Sequence, residues 1–222
     1  MNELNTARIT QALPKPTLLD LLLEQKKLII GIILIIAVTA GGVFFWIQKT
    51  KADEEKASLA LSKAVTWIET GDSVKAVKGL KEIVSGYGST TSGNMARLYL
   101  GTIYYNLNRP DDALAMYKAF SSGNKDLQAS ALAGAAACDV RKKGFTAAAE
   151  SYEKASATAE NESLKAMYLN KAAENDIEAG KPDKAARLLE QIIKSWPGTS
   201  SAAVAQRTMW RLSGQGIQTV TP

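Results

Sequence analysis

The 222-residue chain contains no histidine and only one cysteine. Without an imidazole there can be no Ser-His or Cys-His nucleophile pair, no histidine general base and no His-containing zinc site. A single thiol cannot close an intramolecular disulfide, so an oxidising compartment is permitted without being required. That thiol, Cys138, lies in the alanine-rich stretch "ALAGAAACDV" and reads as a small buried apolar residue rather than a reactive one. Also missing are a GxxxxGK[ST] phosphate loop, a GxGxxG turn and an EF-hand loop. Lys and Arg number 27 against 22 Asp and Glu, yet no basic block is interleaved with aromatics, so a nucleic-acid surface is not indicated. Carboxylate or lysine chemistry survives these exclusions in principle. The paired acids Asp111-Asp112, however, follow Pro110 at a predicted helix start, where the macrodipole favours negative charge. Asn161-Glu162-Ser163 fits the glycosylation triplet, which matters only in a eukaryotic secretory setting. The expectation is a protein that is not an enzyme and carries no cofactor or metal.

What is present begins with an uncharged run, Leu28 to Gln48, "LIIGIILIIAVTAGGVFFWIQ". As a helix its 21 residues extend roughly 30 Å, the thickness of a hydrocarbon core. Lysines close both ends, and Phe44, Phe45 and Trp46 stand where an interfacial aromatic belt belongs. Val38-Thr39-Ala40 resembles a signal-peptide cleavage site, but 27 residues precede the run and "GGVFFWI" continues past the cut, so an uncut anchor is expected. Ala37 and Gly41 form a small-xxx-small pair, a weak signal for helix pairing. Basic residues nearly balance: Arg8, Lys15, Lys26 and Lys27 lie before the run, and Lys49, Lys51, Lys56 and Lys63 after it. Length decides the orientation, since a long segment is translocated largely regardless of charge. The expected organisation is a tail over 1–27 on the inner side, a transmembrane helix over 28–48 in contact with the lipid bilayer, an exported domain over 49–214 and a frayed end over 215–222. Leucines on most faces of "PKPTLLDLLLEQKK" suggest a short helix lying along the membrane interface.

The exported segment repeats itself. "ETGDSVKAVKGLKEI", "NLNRPDDALAMYKAF", "RKKGFTAAAESYEKA" and "EAGKPDKAARLLEQI" each show a turn, an alanine, a large residue four positions on and an apolar residue three further. The alanines are Ala76, Ala113, Ala148 and Ala185, spaced 37, 35 and 37 apart. The large residues are Leu80, Tyr117, Tyr152 and Leu189, followed by Ile83, Phe120, Ala155 and Ile192. Steps of four and three put all three on one helical face, with the alanine where a partner helix approaches. Gly71, Asn108 and Gly180 suit a left-handed turn, and Pro110 and Pro182 suit a first helical turn. In the third turn the glycine is displaced by one, to Gly144. After the fourth repeat, "SWPGTSSAAVAQRTMWRL" supplies a terminal helix with Ala203, Met209, Trp210 and Leu212 as its apolar residues and Gln206, Arg207 and Arg211 outermost.

Upstream of Asn108, Leu100, Gly101 and Tyr104 combine with Ala113 and Tyr117 to meet the W-x2-L-G-x2-Y…A-x3-F/Y signature. The chain therefore resembles the tetratricopeptide repeat family over about residues 57–195. In the other repeats Trp67 takes the Tyr104 place, Ala64, Ala136 and Ala173 take the Gly101 place, and Asp139 and Asp176 stand where an aromatic is expected. The fold class implied is all-α, a transmembrane helix followed by an α-solenoid of helix pairs. By analogy with the family, a concave protein-binding face built from the first helices would present Leu98, Thr102 and Tyr105, then Ala133 and Ala137, then Asn170 and Glu174. That surface reads as mild and uncharged in its middle. It lacks the paired lysines and asparagines with which some members clamp a terminal carboxylate, which disfavours a cytosolic cochaperone.

The layout of tail, anchor and degenerate repeats also resembles the YfgM type of bacterial inner-membrane protein. That resemblance implies a periplasmic repeat domain linked to the Sec translocon and to periplasmic chaperones. A scaffold subunit of another envelope complex, such as outer-membrane assembly or cell division, is the alternative.

Overall fold

The structure is a computed structural model that describes residues 26–214; nearly all of the expected tail 1–27 and the end 215–222 lie outside the described residues. Two compact units are resolved, Met1–Lys51 and Ala52–Pro222. The described residues are all helical, in nine helices: α1 (Lys26–Glu69), α2 (Ser73–Tyr87), α3 (Thr91–Asn106), α4 (Pro110–Ala119), α5 (Lys125–Arg141), α6 (Phe145–Thr158), α7 (Glu162–Glu178), α8 (Pro182–Ser195) and α9 (Ser200–Gly214). The expected all-α solenoid is therefore the observed fold.

Among the described residues one helix, α1, is long and apolar enough to cross a membrane. Its apolar stretch is uncovered, with Ile35, Val38, Phe45 and Trp46 all exposed. The hydroxyl of Thr39 in this stretch donates back to the Ile35 carbonyl at 2.9 Å, so it is satisfied within the helix.

The repeat register sets the core of the second unit. Ala76, Ala113, Ala148 and Ala185 are all fully buried, as are Leu80, Leu189 and Ile192; Tyr117, Tyr152, Ile83, Phe120 and Ala155 are buried with them. The small positions of the partner helices, Ala64, Gly101, Ala136 and Ala173, are buried too. Trp67 fills the Tyr104 role as expected: a Cβ added at Gly79 of α2 would lie 2.7 Å from its indole. Cys138 is completely buried, and burial pushes its thiol pKa up, as befits a packing residue.

Every pair turns in the same way. The amide of the left-handed residue donates to the carbonyl three back, and the next amide reaches the carbonyl five back: Gly71 to Ile68 and Asp72 to Trp67, Asn108 to Tyr105 and Arg109 to Tyr104, Gly180 to Ile177 and Lys181 to Asp176. The third turn keeps this geometry but not the expected residue. There the left-handed position is Lys143, at φ 59°, while Gly144 has φ −82° and serves as the N-cap of α6. The backbone bonds Lys143 to Val140 and Gly144 to Asp139 hold the shape without glycine's help. Pro110 and Pro182 open α4 and α8, as their fixed φ favours. Asp111 and Asp112 occupy the first turn of α4, and Asn161 caps α7 by accepting from the amides of Ser163 and Leu164.

From α2 onward each helix packs on the next, and α3, α5, α7 and α9 also touch in sequence. No such contact links α4 with α6 or α6 with α8. The first helices thus form an inner row and the second helices an outer one. The terminal helix α9 buries Ala202, Ala205, Met209 and Leu212. Ala203 and Trp210, expected among its apolar residues, are exposed instead, because they fall on the side of the helix turned away from α8.

Candidate functional site

The seven residues expected to face a partner sit on the inner row: three on α3, two on α5 and two on α7. Thr102 is exposed, and its hydroxyl lies 3.2 Å from the Tyr117 hydroxyl below it. Leu98 and Tyr105 are half-buried and pack against the core cluster that includes Leu100, Tyr104 and Tyr117. Ala133 and Ala137 are also half-buried, which leaves the α5 stretch low and open. Asn170 is buried; its amide donates to the Ser201 carbonyl at 2.9 Å, so it ties α7 to α9 more than it faces outward. Glu174 is half-buried and paired with Lys171 at 2.9 Å.

Two clefts adjoin this row. One, of about 410 Å³, is lined by Leu164, Met167, Asn170 and Glu174 of α7 and by Ser201 and Val204 of α9. The other, of about 380 Å³, is lined by Val140, Phe145, Glu174, Ile177, Thr208 and Arg211. Glu174 borders both. Two of the seven expected residues therefore line a cleft, while the α3 and α5 residues form the open stretch beside it.

The middle of the row is not free of charge, contrary to the sequence expectation. Arg141, at the end of α5, lies with its guanidinium 4.1 Å from the centre of the Tyr105 ring and donates to Asn108 at 2.7 Å. It thus binds the third pair to the second while placing a cation over the expected surface. Its sequence setting, the basic end of a helix, points first to the dipole and conceals the ring.

Small residues determine how closely the row can pack. A Cβ at Gly101 would lie 2.9 Å from the Tyr117 ring, and one at Gly134 would lie 2.5 Å from it. The ring of Tyr117 is therefore clasped between α3 and α5, and burial pushes its hydroxyl pKa up. Gly134 is outside the repeat signature, and alanine-rich sequence around it gave no hint of this contact.

Carboxylates join neighbouring repeats, and two of them, Glu54 and Asp126, share a register position. Glu54 of α1 accepts from the Ser92 amide at 3.2 Å and the Ser92 hydroxyl at 2.6 Å. Burial opposes its ionisation, but these hydrogen bonds together hold its pKa below the usual value. Asp126 of α5 accepts from the amides of Asn161 and Glu160, at 3.0 and 2.7 Å, and those bonds lower its pKa. Asp176, which replaces the signature aromatic, is fully buried and lies 3.1 Å from Lys184, which also pairs with Glu153. The departure from the signature is thus an ionic bridge linking α6, α7 and α8.

These geometries agree with the comparisons. A family profile described as Tetratricopeptide repeat-like domain matches residues 23–136, just over half of the chain, and one described as Tetratricopeptide repeat matches residues 165–199. No curated protein matches the chain. Among solved structures it is similar to two crystal structures of MamA, each at 20% identity. The first covers 69% of this chain and 85% of that one with a TM-score of 0.56, the second 73% and 84% with 0.60. At that identity the likeness is one of fold.

Proposed function

Because the chain belongs to the Tetratricopeptide repeat-like domain family, we propose that it is a membrane-anchored interaction module whose inner row of first helices receives a protein partner. Tetratricopeptide repeats indicate a protein–protein interaction module, and no enzymatic family is indicated. The observation that carries the proposal is the inner row itself: exposed Thr102, low Ala133 and Ala137, and the 410 Å³ cleft bordered by Glu174 form one run across three first helices. A stack of helix pairs presents such a run as an extended surface suited to a polypeptide.

The anchor is the apolar stretch of α1, proposed to span a bacterial inner membrane through residues 28–48 with the repeats on the periplasmic side. Within that setting the partner is the Sec translocon, and the module works as an ancillary subunit linked to periplasmic chaperones. The order of short tail, uncharged run and repeats supports this reading, as does the tendency of long segments to be translocated regardless of charge.

Affinity purification from membranes in mild detergent, followed by mass spectrometry, tests the partner. Recovery of translocon subunits with periplasmic chaperones is the expected result; recovery of a different envelope assembly would replace the translocon by a scaffold role. A reporter active only outside the cytoplasm, fused after Pro222, is expected to be active. Inactivity would reverse the orientation.

A further inference from the structure

The last helix ends the stack in an unusual way. Ala64, Gly101, Ala136 and Ala173 recur at spacings of 37, 35 and 37, and each is buried where its own second helix packs. One more step of 37 arrives at Trp210. The same step carries Tyr168 and Ala172, which pack with Tyr152 and Ala155 of α6, onto Ala205 and Met209, which pack with Leu189 and Ile192 of α8. So α9 is a fifth first helix in register, seated on α8, with an indole where the other four have glycine or alanine. Trp210 is 66% exposed. Beside it stand exposed Ala203, Arg207 and Arg211; α9 itself contains no acidic residue, while Glu174, paired with Lys171, and Glu178 of α7 share a cleft with Arg211.

Three occupants can be weighed against these facts. A further helix in the repeat register would need a small residue at 210, and the indole fills that space. A second copy presenting the same face would gather four arginines into one interface, a concentration of like charge that disfavours closure. An acidic protein segment with an apolar recess meets both features, since the indole enters the recess and the two guanidinium groups pair with carboxylates. Exposed tryptophan and arginine are also the residue types that most often dominate interface energies. We propose that the exposed face of α9 at the end of the stack, centred on Trp210 with Arg207 and Arg211, is a docking site for an acidic segment of a partner protein. Arg207 and Arg211 continue the register of Asn170 and Glu174, and Arg211 shares a cleft with Glu174. This face therefore ends the inner row, and the proposal rests on the partner reading above. Its test reads Trp210 and the two arginines alone, so its failure is distinguishable from failure of partner capture at the α3 and α5 positions.

The test uses the full chain in mild detergent and two fluorescently labelled synthetic helical peptides of equal length. One carries a glutamate face and a leucine face, and its counterpart carries lysine for glutamate. Anisotropy titration is expected to show binding of the glutamate peptide alone, weakened at least tenfold by Trp210→Ala and equally by Arg207→Glu with Arg211→Glu. Circular dichroism of the variants should be unchanged, because these side chains are exposed. No binding of the glutamate peptide, or binding that the Trp210 change leaves intact, would overturn the proposal. So would binding that appears only after residues 215–222 are removed, which would mean that the chain's own end covers the face. Trp210-dependent flotation with phosphatidylglycerol vesicles in the absence of peptide binding would assign the face to lipid instead. Trp210-dependent self-association in sedimentation would assign it to a second copy.

Discussion

Substituting Gly134 by alanine gives the sharpest check on how the second and third pairs pack. The new Cβ would sit 2.5 Å from the Tyr117 Cζ and 2.6 and 2.7 Å from two further ring atoms. The ring cannot retreat freely, because Gly101 already lies against it from α3, where a Cβ would come within 2.9 Å, and its hydroxyl lies 3.2 Å from Thr102. Overpacking of this kind costs about 1–3 kcal/mol. Alanine in place of glycine inside a helix returns about 1 kcal/mol. The net expectation is a loss of up to about 2 kcal/mol, or up to a few degrees in thermal midpoint for a domain of this size. Replacing Tyr117 by leucine removes the ring and makes room. In that background Gly134→Ala should instead stabilise, by up to about 1 kcal/mol, leaving a coupling of about 2 kcal/mol between the two sites. Urea unfolding of the four proteins of this cycle, followed by circular dichroism, measures it. If Gly134→Ala has the same effect whether or not Tyr117 is present, the close approach of α3 and α5 through that ring is wrong.

Other changes follow from the same geometry. Lys143→Gly should raise stability by up to about 1 kcal/mol, because it relieves a left-handed backbone at an exposed residue; a lower thermal midpoint would refute this. Lys184→Met should lose about 3 kcal/mol by leaving Asp176 buried without its cation, and Asp176→Leu added to it should recover most of the loss. Denaturant midpoints that do not recover in the double variant would show that the bridge is not what couples those helices. Glu54 and Asp126 have folded pKa values depressed below 4.5 and 3.8. Their contribution is therefore fully present above those values and is lost as pH falls through the lower folded ones. A thermal midpoint followed from about pH 6 to about pH 3 should fall less steeply in the Glu54→Gln, Asp126→Asn variant than in the parent, and equal slopes would contradict the clasp.

Much of the fold could be read in advance because it rests on spacing. Alanine, large residue and apolar residue at steps of four and three place one face of each second helix, and all twelve positions so identified are buried. The first turn of α4 and of α8 was equally legible, since proline there has a single local meaning. Lys143 was not, because the turn's shape is held by two backbone hydrogen bonds that no residue type announces. Contacts made across pairs were also hidden. Gly134 under Tyr117, Arg141 over Tyr105 and Glu54 on Ser92 join residues 17, 36 and 38 positions apart, and local pattern does not register them. For the same reason the sequence did not reveal how unevenly the expected surface is accessible. Asn170 and Leu98 are engaged in packing, while Met167, beside the cleft and exposed, was overlooked.

The central claim is that a protein partner lies along the inner row, and site-specific photocrosslinking tests it most directly. A photoreactive amino acid is placed at Thr102 or at Ala137 on the first helices, and at Lys118 or Lys154, both exposed on the second helices, as controls. After irradiation of intact membranes, discrete adducts to one and the same partner are expected from positions 102 and 137 and not from 118 or 154. Adducts from 118 and 154 with none from 102 or 137 would place the partner on the outer row and contradict the account.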